Sequence, residues 1–501
     1  MRQELRGIAV KADLKLLYER GMRLTPEAYD FLDKNEIDNA AWEKILECAT
    51  PFLTKEAIGE ICAASKIPEA VRVSRSPDFK PSAKEHAPRF KLIGESDITG
   101  KSNCSGKLED FAGHFRNRFE RISRILRTRI TPNPLVETNR LKESAGAKVR
   151  LIAMVTEKRI TKKGNILLDV EDEEGGAKAV ITKDKRDAFS AAQKVLLDDI
   201  IALDGKNAEE LFIADEITWP EIPFAKEQKK TEDDIAIAYL SDIHLGSKKF
   251  LEREFSHFLG WLNGSESSTA RQRELAGKVK YVIICGDTVD GIGIYPDQEK
   301  ELAEKDIFKQ YEMLDSAIEK IPDHITVFVA PGNHDAVRRA EPQPSIPFEL
   351  MHSEVVRIGS PSYLEIEGLK HLVYHGASLD SIISGAGLKN GYANPHEAML
   401  ELVKRRHLSP IYGDNLIVPE ERDYLVIDDE PDVIHMGHVH TNGYMLYRGT
   451  LLVNSGTFQD RTDFQVRMGH MPTPGIVPVL ETKTGKLNHL SFMGETPGAE
   501  I

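Results

Sequence analysis

The stretch IAIAYLSDIHLG (residues 235–246) joins an uninterrupted apolar run to a polar cluster that contains Asp242 and His244. The same pattern recurs at YVIICGDTVDG (281–291), ITVFVAPGNHD (325–335), HLVYHG (371–376) and VIHMGHVH (433–440). An apolar run of this kind is typical of a strand that is buried on both faces of a sheet. Open α/β folds gather functional residues at the ends of such strands. We therefore predict an α/β domain in which these polar clusters meet at one edge of a sheet.

The residue types in the clusters predict a metal centre. Carboxylate oxygens and imidazole nitrogens suit divalent ions such as Mn²⁺, Zn²⁺ or Fe²⁺. Two ions about 3.5–4 Å apart can hold one hydroxide and clamp both oxygens of a phosphodiester. One carboxylate has to bridge them, and Asp287, an isolated loop carboxylate that follows Gly286, is the natural candidate. The four cysteines form no C-x-x-C pair, so we expect no zinc knuckle of that type.

In this order, D-x-H, G-D-x-x-D, G-N-H-D, H-G and G-H-x-H resemble the motifs of the calcineurin-like metallophosphoesterase superfamily over about residues 234–460. The resemblance implies an α/β domain built as a β-sandwich flanked by helices. It also implies two divalent ions, with Mn²⁺ expected and Mg²⁺, Fe²⁺ or Zn²⁺ as alternatives. Asp287 would bridge them, and the remaining ligands would be Asp242, His244 and His440 for one ion and Asn333, His375 and His438 for the other.

The same resemblance assigns roles to three further side chains. His334 would face the substrate, where it protonates the leaving oxygen or stabilises charge on the phosphate. Asp290 and Asp335 are expected behind the ligands, where they orient histidines. Every ligand position holds the expected residue type, so the resemblance implies a working site.

Upstream of this domain, residues 1–72 are expected to form a small helical module, because apolar residues recur there at helical spacing. Thr25 and Pro26 predict one helix start, with Thr25 as the cap. Packing or partner docking is the simplest interpretation of the module. Residues 73–107 are rich in turn-forming residues and predict a linker. Residues 108–145 predict a basic amphipathic helix and a connection; its arginines form either a solvated face or a surface for phosphate or another subunit.

Residues 146–224 contain five short apolar segments with a helical segment after the third, which is the order expected of an OB-fold β-barrel. The first turn is basic and predicts a nucleic-acid contact through Lys158, Arg159, Lys162 and Lys163. Few aromatic residues are available for base stacking, so a purely structural barrel stays open as the alternative. A charged linker follows, and the phosphoesterase domain is expected to occupy residues 234–490.

Nearly the whole chain resembles the small subunits of archaeal D-family DNA polymerases, through YLSDIHLGS, CGDTVDG, APGNHD, MGHVHTNGY and DFAGHFRNRF. The resemblance implies a multidomain protein with a manganese-dependent 3′–5′ exonuclease for single-stranded or frayed DNA ends. It also implies a large catalytic polymerase subunit on another chain. Two alternatives stay open: a scaffold that docks DNA and the large subunit without chemistry, and a free-standing phosphoesterase for nucleotides or phosphoproteins.

Charge and hydropathy limit where the protein acts. The net charge of −14 argues against a uniformly basic DNA-binding surface but allows a local basic groove. The N-terminal segment MRQELRGIAVKADLKLLYERG is charged throughout and lacks the apolar core of a signal peptide. The apolar runs are too short to span a bilayer. We therefore expect a cytoplasmic protein without a membrane segment.

Overall fold

The chain divides into two compact units, Met1–Arg72 and Val73–Ile501. The computed structural model describes residues 17, 20, 22–34, 45, 52–55, 57, 58, 76–208, 211–223, 226–266, 269–494, 499 and 500. In this part of the chain, every helix is too short or too polar to cross a membrane.

In the first unit, strand β1 (Arg23–Leu24) leads into helix α1 (Pro26–Lys34) and pairs in parallel with strand β2 (Phe52–Leu53). The helix begins at Pro26, as predicted, and the Thr25 hydroxyl accepts a hydrogen bond of 3.3 Å from the backbone N–H of Ala28. Most of residues 1–72, over which the helical module is predicted, lie outside the described residues.

The segment expected to be a linker is part of the fold in its described residues, 76–107. Strand β3 (Phe90–Leu92) pairs antiparallel with residues 364–366 at the edge of a sheet. The Asp97 carboxylate accepts hydrogen bonds from the Gly359 backbone and the Ser362 hydroxyl, at 2.7 and 2.9 Å. A strand of three residues is too short for its periodicity to show in the sequence, which explains the difference.

The next elements are helix α2 (Leu108–Arg127) and a closed five-stranded barrel, as predicted for this region. Its elements in chain order are β4 (Lys148–Ile160), β5 (Ile166–Glu171), β6 (Gly176–Ile181), α3 (Arg186–Lys194), β7 (Ile200–Ala208) and β8 (Leu211–Thr218). The strands close in the order β4-β5-β6-β8-β7, and only β6 and β8 pair in parallel. One apolar cluster of inward-facing residues, among them Leu151, Leu168, Ala179 and Leu203, fills the barrel.

Two packed sheets form the rest of the unit. Their further strands are β9 (Ala236–Leu240), β10 (Val279–Cys285), β11 (Thr326–Ala330), β12 (Val356–Arg357), β13 (Ser362–Ile366), β14 (Leu369–Val373), β15 (Val433–Met436), β16 (Gly443–Tyr447), β17 (Thr450–Asn454), β18 (Ile476–Glu481), β19 (Lys486–Ser491) and β20 (Ala499–Glu500). The first sheet has the order β12-β11-β10-β9-β18-β19-β20, and the second has the order β16-β17-β15-β14-β13-β3.

Helices cover the outer faces of both sheets. They are α4 (Glu252–Leu262), α5 (Ala270–Lys278), α6 (Ile307–Ile318), α7 (Leu379–Gly385) and α8 (Pro395–Arg405), and a further helix, α9 (Asp463–Met468), follows β17. Alternate residues of β9 show why its apolar run is unbroken. Ile237 and Tyr239 pack between the sheets, whereas Ala238 and Leu240 pack toward α4, α5 and α6. Helices α7 and α8 cover the second sheet. The five predicted strands therefore all form, but they belong to two sheets instead of one.

Short 3₁₀ helices lie at Ser82–Glu85, Gly94–Ser96, Thr138–Ser144 and Gln298–Lys300.

Helix α2 lies against both the barrel and the sandwich. Its Ile122 and Leu126 share one apolar cluster with Ile152 and Ala202 of the barrel and Val426 of the sandwich region. Two of its arginines are buried and form ion pairs with loop carboxylates: Arg118 with Asp423, and Arg121 with Asp428. These two arginines hold the fold together and are not part of a solvated or DNA-facing surface.

Candidate metal centre

The polar clusters that follow β9, β10, β11, β14 and β15 meet in one buried site between the two sheets. Five site residues have a left-handed backbone: Asp242, His244, Asp287, His438 and His440, with φ from 50° to 71°. Such a conformation costs on the order of 1–3 kcal/mol for each residue that is not glycine. Strain is therefore concentrated where the side chains converge, as is common at functional sites.

One half of the site contains Asp242, His244 and His440. The Nε2 atoms of the two histidines lie 3.0 Å apart. The Asp242 Oδ1 lies 3.4 Å from His440 Nε2 and 4.0 Å from His244 Nε2. Ligand atoms of these three residues are close enough together to bind one ion.

The other half contains His375, Asn333 and His438. The Nε2 of His375 lies 3.0 Å from Asn333 Oδ1 and 3.3 Å from Asp287 Oδ2. The rings of His375 and His438 meet edge to face, with their centroids 5.2 Å apart. Ligand atoms of Asp287, His375 and His438 form a second group close enough to bind an ion.

Asp287 stands between the two halves. Its Oδ2 lies 3.3 Å from His375 Nε2, 3.9 Å from His244 Nε2 and 4.0 Å from His334 Nε2. Its Oδ1 accepts a 2.8 Å hydrogen bond from the His334 backbone N–H. Burial opposes ionisation of Asp287, but the charges of His375 and His334 outweigh it and hold the pKa of Asp287 well below its usual value. One carboxylate oxygen therefore faces histidines from both halves of the site.

The electrostatics of the site favour cations. Burial lowers the pKa of His375, but the charge of Asp287 outweighs it and raises the pKa to about 10. Burial also opposes ionisation of Asp242, yet the adjacent His440 outweighs it and lowers the pKa of Asp242. Asp242 Oδ1 is buried and has no hydrogen-bond partner, whereas its Oδ2 accepts a 2.9 Å bond from the His438 backbone. A buried carboxylate oxygen without a donor is a position suited to a metal ion.

Three histidines have one ring nitrogen held by a second group and the other directed to the cluster. The Nδ1 of His244 pairs with Asp290 Oδ1 at 2.9 Å, and the Nδ1 of His375 lies 2.9 Å from the Cys285 carbonyl oxygen. The Nε2 of His438 pairs with Asp380 Oδ2 at 3.0 Å. Histidines that bind metals are usually held in this way. The donor set therefore fits divalent ions.

Glycines leave room for this close packing. A Cβ on Gly332 would lie 2.5 Å from the Asp287 backbone nitrogen and closer still to its Oδ1. A Cβ on Gly437 would lie 2.5 Å from Asp242 Oδ2. Both carboxylates can therefore approach the backbone only because these positions have no side chain.

His334 lies at the opening of the site and is half-buried. Its Nδ1 lies 2.8 Å from the Asp290 carbonyl oxygen, which turns Nε2 toward Asp287. Burial lowers the pKa of His334. Ligand atoms of His244, Asp287 and His334 also lie close together, so His334 is both near the ions' expected positions and accessible from outside.

The two carboxylates expected behind the ligands differ in what they contact. Asp290 Oδ1 lies 2.9 Å from His244 Nδ1 and also accepts a 3.1 Å bond from Gln459 Nε2. Asp335 holds no histidine among the described residues. It accepts bonds from the Thr288 hydroxyl and the Gly332 backbone, so it orders the two loops that carry Asp287 and Asn333. Burial raises the pKa of Asp335 to about 6.

Sequence reasoning missed two side chains that hold the last pair of histidines. Asp380 lies near the start of α7 and pairs with His438. Burial raises the pKa of the Asp380 carboxyl, but the charge of His438 outweighs this and lowers the pKa to about 2. Gln465 of α9 places its amide Nε2 at 2.9 Å from His440 Nδ1. Neither residue belongs to a motif. Only the capping box of α9, in which Gln465 pairs with Thr462, is visible in the sequence.

The basic turn of the barrel lies apart from this cluster, between β4 and β5, and its four residues differ in exposure. Lys158 is partly buried, and its Nζ donates to the carbonyl oxygens of Gln193 and Val195. Arg159 pairs with Asp169 at 2.8 Å. Lys162 and Lys163 are exposed at the tip of the turn.

Comparisons with known proteins extend over the whole chain. A family model that describes the B-type subunits of DNA polymerases alpha and epsilon matches residues 237–443. The DNA polymerase II small subunit of Methanocaldococcus jannaschii is 41% identical over 411 residues, which cover 80% of this chain and 68% of that protein. The DNA polymerase II small subunit of Archaeoglobus fulgidus is 38% identical over 501 residues, which cover 98% of this chain and 100% of that protein.

Solved structures are similar at a lower level. A structure described as a novel archaeal phosphodiesterase is 13% identical and covers 51% of this chain and 99% of its own, with a TM-score of 0.23. A TM-score of this size establishes no common fold.

Proposed function

This chain belongs to the family of archaeal DNA polymerase II small subunits, and from that membership we propose that it carries the 3′–5′ exonuclease of a heteromeric replicative polymerase. The proposed substrate is the single-stranded or frayed 3′ end of DNA. The observation that carries the proposal is the position of Asp287, whose Oδ2 lies within 4.0 Å of three imidazole nitrogens. A phosphodiesterase needs such a carboxylate between two ions, whereas a scaffold does not.

Two divalent ions, proposed to be Mn²⁺, would supply a hydroxide at neutral pH and neutralise charge on the phosphate. Mg²⁺, Fe²⁺ or Zn²⁺ are the alternatives. We propose Asp287 as the bridge and the following residues as the other ligands: Asp242, His244 and His440 for one ion, and Asn333, His375 and His438 for the other. The unpartnered Oδ1 of Asp242 supports this assignment.

His334 is proposed to act on the leaving group. Hydrolysis breaks the bond between phosphorus and the 3′ oxygen of the penultimate nucleotide, and that oxygen needs a proton. The Asp290 carbonyl holds Nδ1 of His334, so Nε2 is the atom available to the substrate. A phosphate beside Nε2 favours the imidazolium form, because opposite charges stabilise each other. His334 can then donate its Nε2 proton to the 3′ oxygen.

The remaining parts of the chain support contacts with DNA and with a second subunit in this proposal. Barrel closure with a helix after the third strand supports an OB-fold over residues 146–224. At its basic turn, Lys162 and Lys163 remain available to a phosphate backbone. The proposed phosphoesterase domain spans residues 234–490 and is completed by β3 from the segment upstream of α2.

A second role, docking of a large catalytic subunit, is favoured by exposed apolar residues. Leu108 at the start of α2 is 80% exposed, and Ile130 just beyond its end is fully exposed. Exposed residues of this size often mark protein interfaces. This role is compatible with the exonuclease.

The proposal is tested with the purified full chain, Mn²⁺ and a 5′-labelled single-stranded DNA. A ladder that shortens from the 3′ end is expected, and His334→Ala should abolish it while Mn²⁺ binding persists. His352→Ala is the matched control, because this histidine is exposed on the surface. If no ladder forms even after the large subunit is added, the exonuclease is excluded and the scaffold role remains.

A further inference from the structure

Helix α9 presents an apolar face to solvent next to the metal centre. Phe464 and Met468 are four residues apart and therefore lie on one side of the helix. Phe464 is 54% exposed, Met468 59%, and Met471 just beyond the helix 67%. Side chains of this size are rarely exposed together unless they contact a ligand or partner.

The opposite side of the same segment is anchored in the site. Gln465 is buried and its amide lies 2.9 Å from His440 Nδ1. The Thr441 hydroxyl lies 3.5 Å from the Met471 carbonyl oxygen. Only the side chain of Gln465 separates the apolar face from His440, a proposed metal ligand. The position of the face is therefore coupled to the position of His440.

An aromatic pair continues this surface toward the second half of the site. The rings of Tyr392 and His470 are stacked, with their centroids 3.9 Å apart at an angle of 26°. The Tyr392 hydroxyl is hydrogen-bonded to Asp380, which in turn holds His438. Residues from α9, the loop after it and the loop before α8 thus lie along one side of the centre.

The segment also carries unpaired positive charge. Within the described residues, neither Arg461 nor Arg467 forms an ion pair, and Nε of Arg461 is buried without a hydrogen-bond partner. Burial lowers the pKa of His470, the charge of Asp380 opposes this, and the charge of Arg461 adds to it, so Arg461 lies near the aromatic pair. Apolar and aromatic side chains interleaved with arginines are typical of a surface that binds single-stranded nucleic acid.

We propose that Phe464, Met468 and Met471 form a stacking platform for the unpaired bases at the DNA 3′ end, with Arg461 and Arg467 holding the adjacent phosphates. This proposal rests on the proposed exonuclease, because the platform would position the DNA 3′ end that the exonuclease cuts. In a paired 3′ end the bases stay stacked on each other, so such an end gains no binding energy from the platform. The platform therefore selects frayed ends over paired ends. A protein partner on this face is the competing occupant. The unpaired arginines and the direct link to His440 favour DNA.

The test measures binding by fluorescence anisotropy with the full-length chain. All variants carry His334→Ala, so that the strands stay intact. The probe is 5′-fluorescein (dT)₁₂, beside the same strand with an abasic 3′-terminal nucleotide. Phe464→Ala should weaken binding of (dT)₁₂ about five- to hundredfold, which is the range for losing a base stack. The abasic strand should bind the variant as well as it binds the parent, because it has no terminal base to lose.

Phe348→Ala is the matched control, because Phe348 is 63% exposed and its ring meets His352 edge to face, outside the segment that carries the platform. Equal binding of (dT)₁₂ by the Phe464→Ala variant and its parent overturns the platform. Loss of affinity for the large subunit with unchanged DNA affinity would assign this face to a protein. Base-dependent binding by the His334→Ala chain, together with no DNA cleavage by the chain that retains His334, would support the platform and reject the exonuclease, so the two proposals fail separately.

Discussion

Asp423 is the buried anchor between helix α2 and the sandwich, and its substitution by asparagine gives a sharp test of this packing. The carboxylate is fully buried and its Oδ2 accepts bonds from Arg118 Nε at 2.6 Å and His407 Nε2 at 2.9 Å. His114 Nε2 lies 3.3 Å from the same oxygen. Burial opposes ionisation, but the charge of Arg118 and the hydrogen bond with His407 outweigh it and hold the pKa of Asp423 well below its usual value.

Asp423→Asn removes one charge and leaves Arg118 buried without a counter-ion. Breaking a buried pair in this way costs about 3–5 kcal/mol of unfolding free energy. Asp428→Asn is the matched control, because Asp428 pairs with Arg121 of the same helix but its side chain is 38% exposed. A pair at that exposure contributes about 0–1 kcal/mol.

Urea unfolding followed by tryptophan fluorescence measures the difference. The Asp423→Asn midpoint should fall well below the parent's, whereas the Asp428→Asn midpoint should barely move. The folded pKa of Asp423 is depressed, so its contribution is present above the unfolded pKa of about 3.9 and is lost only below it. The penalty should therefore be constant from pH 5 to 8. Equal shifts for both variants, or strict additivity of Asp423→Asn with Arg118→Met, would refute the buried-pair argument.

Three further predictions concern the centre and its surroundings. Asp290→Asn, which weakens the hold on His244, should lower Mn²⁺ affinity about 10- to 100-fold in titration calorimetry, and unchanged affinity would contradict this role. Gly332→Ala should displace Asp287 and reduce DNA hydrolysis on the order of a hundredfold, whereas Gly113→Ala, whose Cβ meets open space, should not. The pKa of His407, lowered by burial to about 4, lies below its unfolded value of 6.5, so its neutral ring stabilises the fold fully above pH 6.5 and progressively less down to pH 4. A His407→Gln variant should lose this dependence, which amounts to about 3 kcal/mol, in unfolding measured across that range.

The neutral state of His407 has a visible structural cause. Its Nε2 pairs with Asp423, and its Nδ1 accepts a 3.0 Å hydrogen bond from the Ser409 backbone N–H. A second proton on Nδ1 would have to displace that N–H, and Arg118 beside the ring opposes a further positive charge. The contact with Arg118 joins residues far apart in the chain, so this part of the cause has no signature in the sequence.

Periodicity was a reliable guide to individual strands. Each apolar run ahead of a polar cluster forms a strand close to its predicted limits, and the barrel has its five strands and its helix in the predicted order. The pattern could not show that β14 and β15 belong to a different sheet from β9, β10 and β11. A strand buried on both faces has the same composition whichever sheet it joins.

The basic helix and the basic turn show a second limit. Arginines and lysines on a surface and in a buried ion pair look alike in a sequence, because both occur on amphipathic segments. Arg118 and Arg121 pair with carboxylates that lie 305 and 307 residues further along the chain. Lys158 donates hydrogen bonds to the carbonyl oxygens of Gln193 and Val195, at the end of α3. Arg159, Lys162 and Lys163 of the predicted contact stay exposed, and of these Arg159 is paired with Asp169.

The sequence by itself determined which residues stand at the strand ends and which elements carry them, because burial and backbone preference are local properties of the chain. The prediction of a binuclear centre came from residue types and order alone. Tertiary structure decided which groups hold those residues in place: Asp380 for His438, Gln465 for His440, and the short strand β3 for the edge of the second sheet. These choices depend on distances between segments that only packing sets, so no pattern along the chain could reveal them.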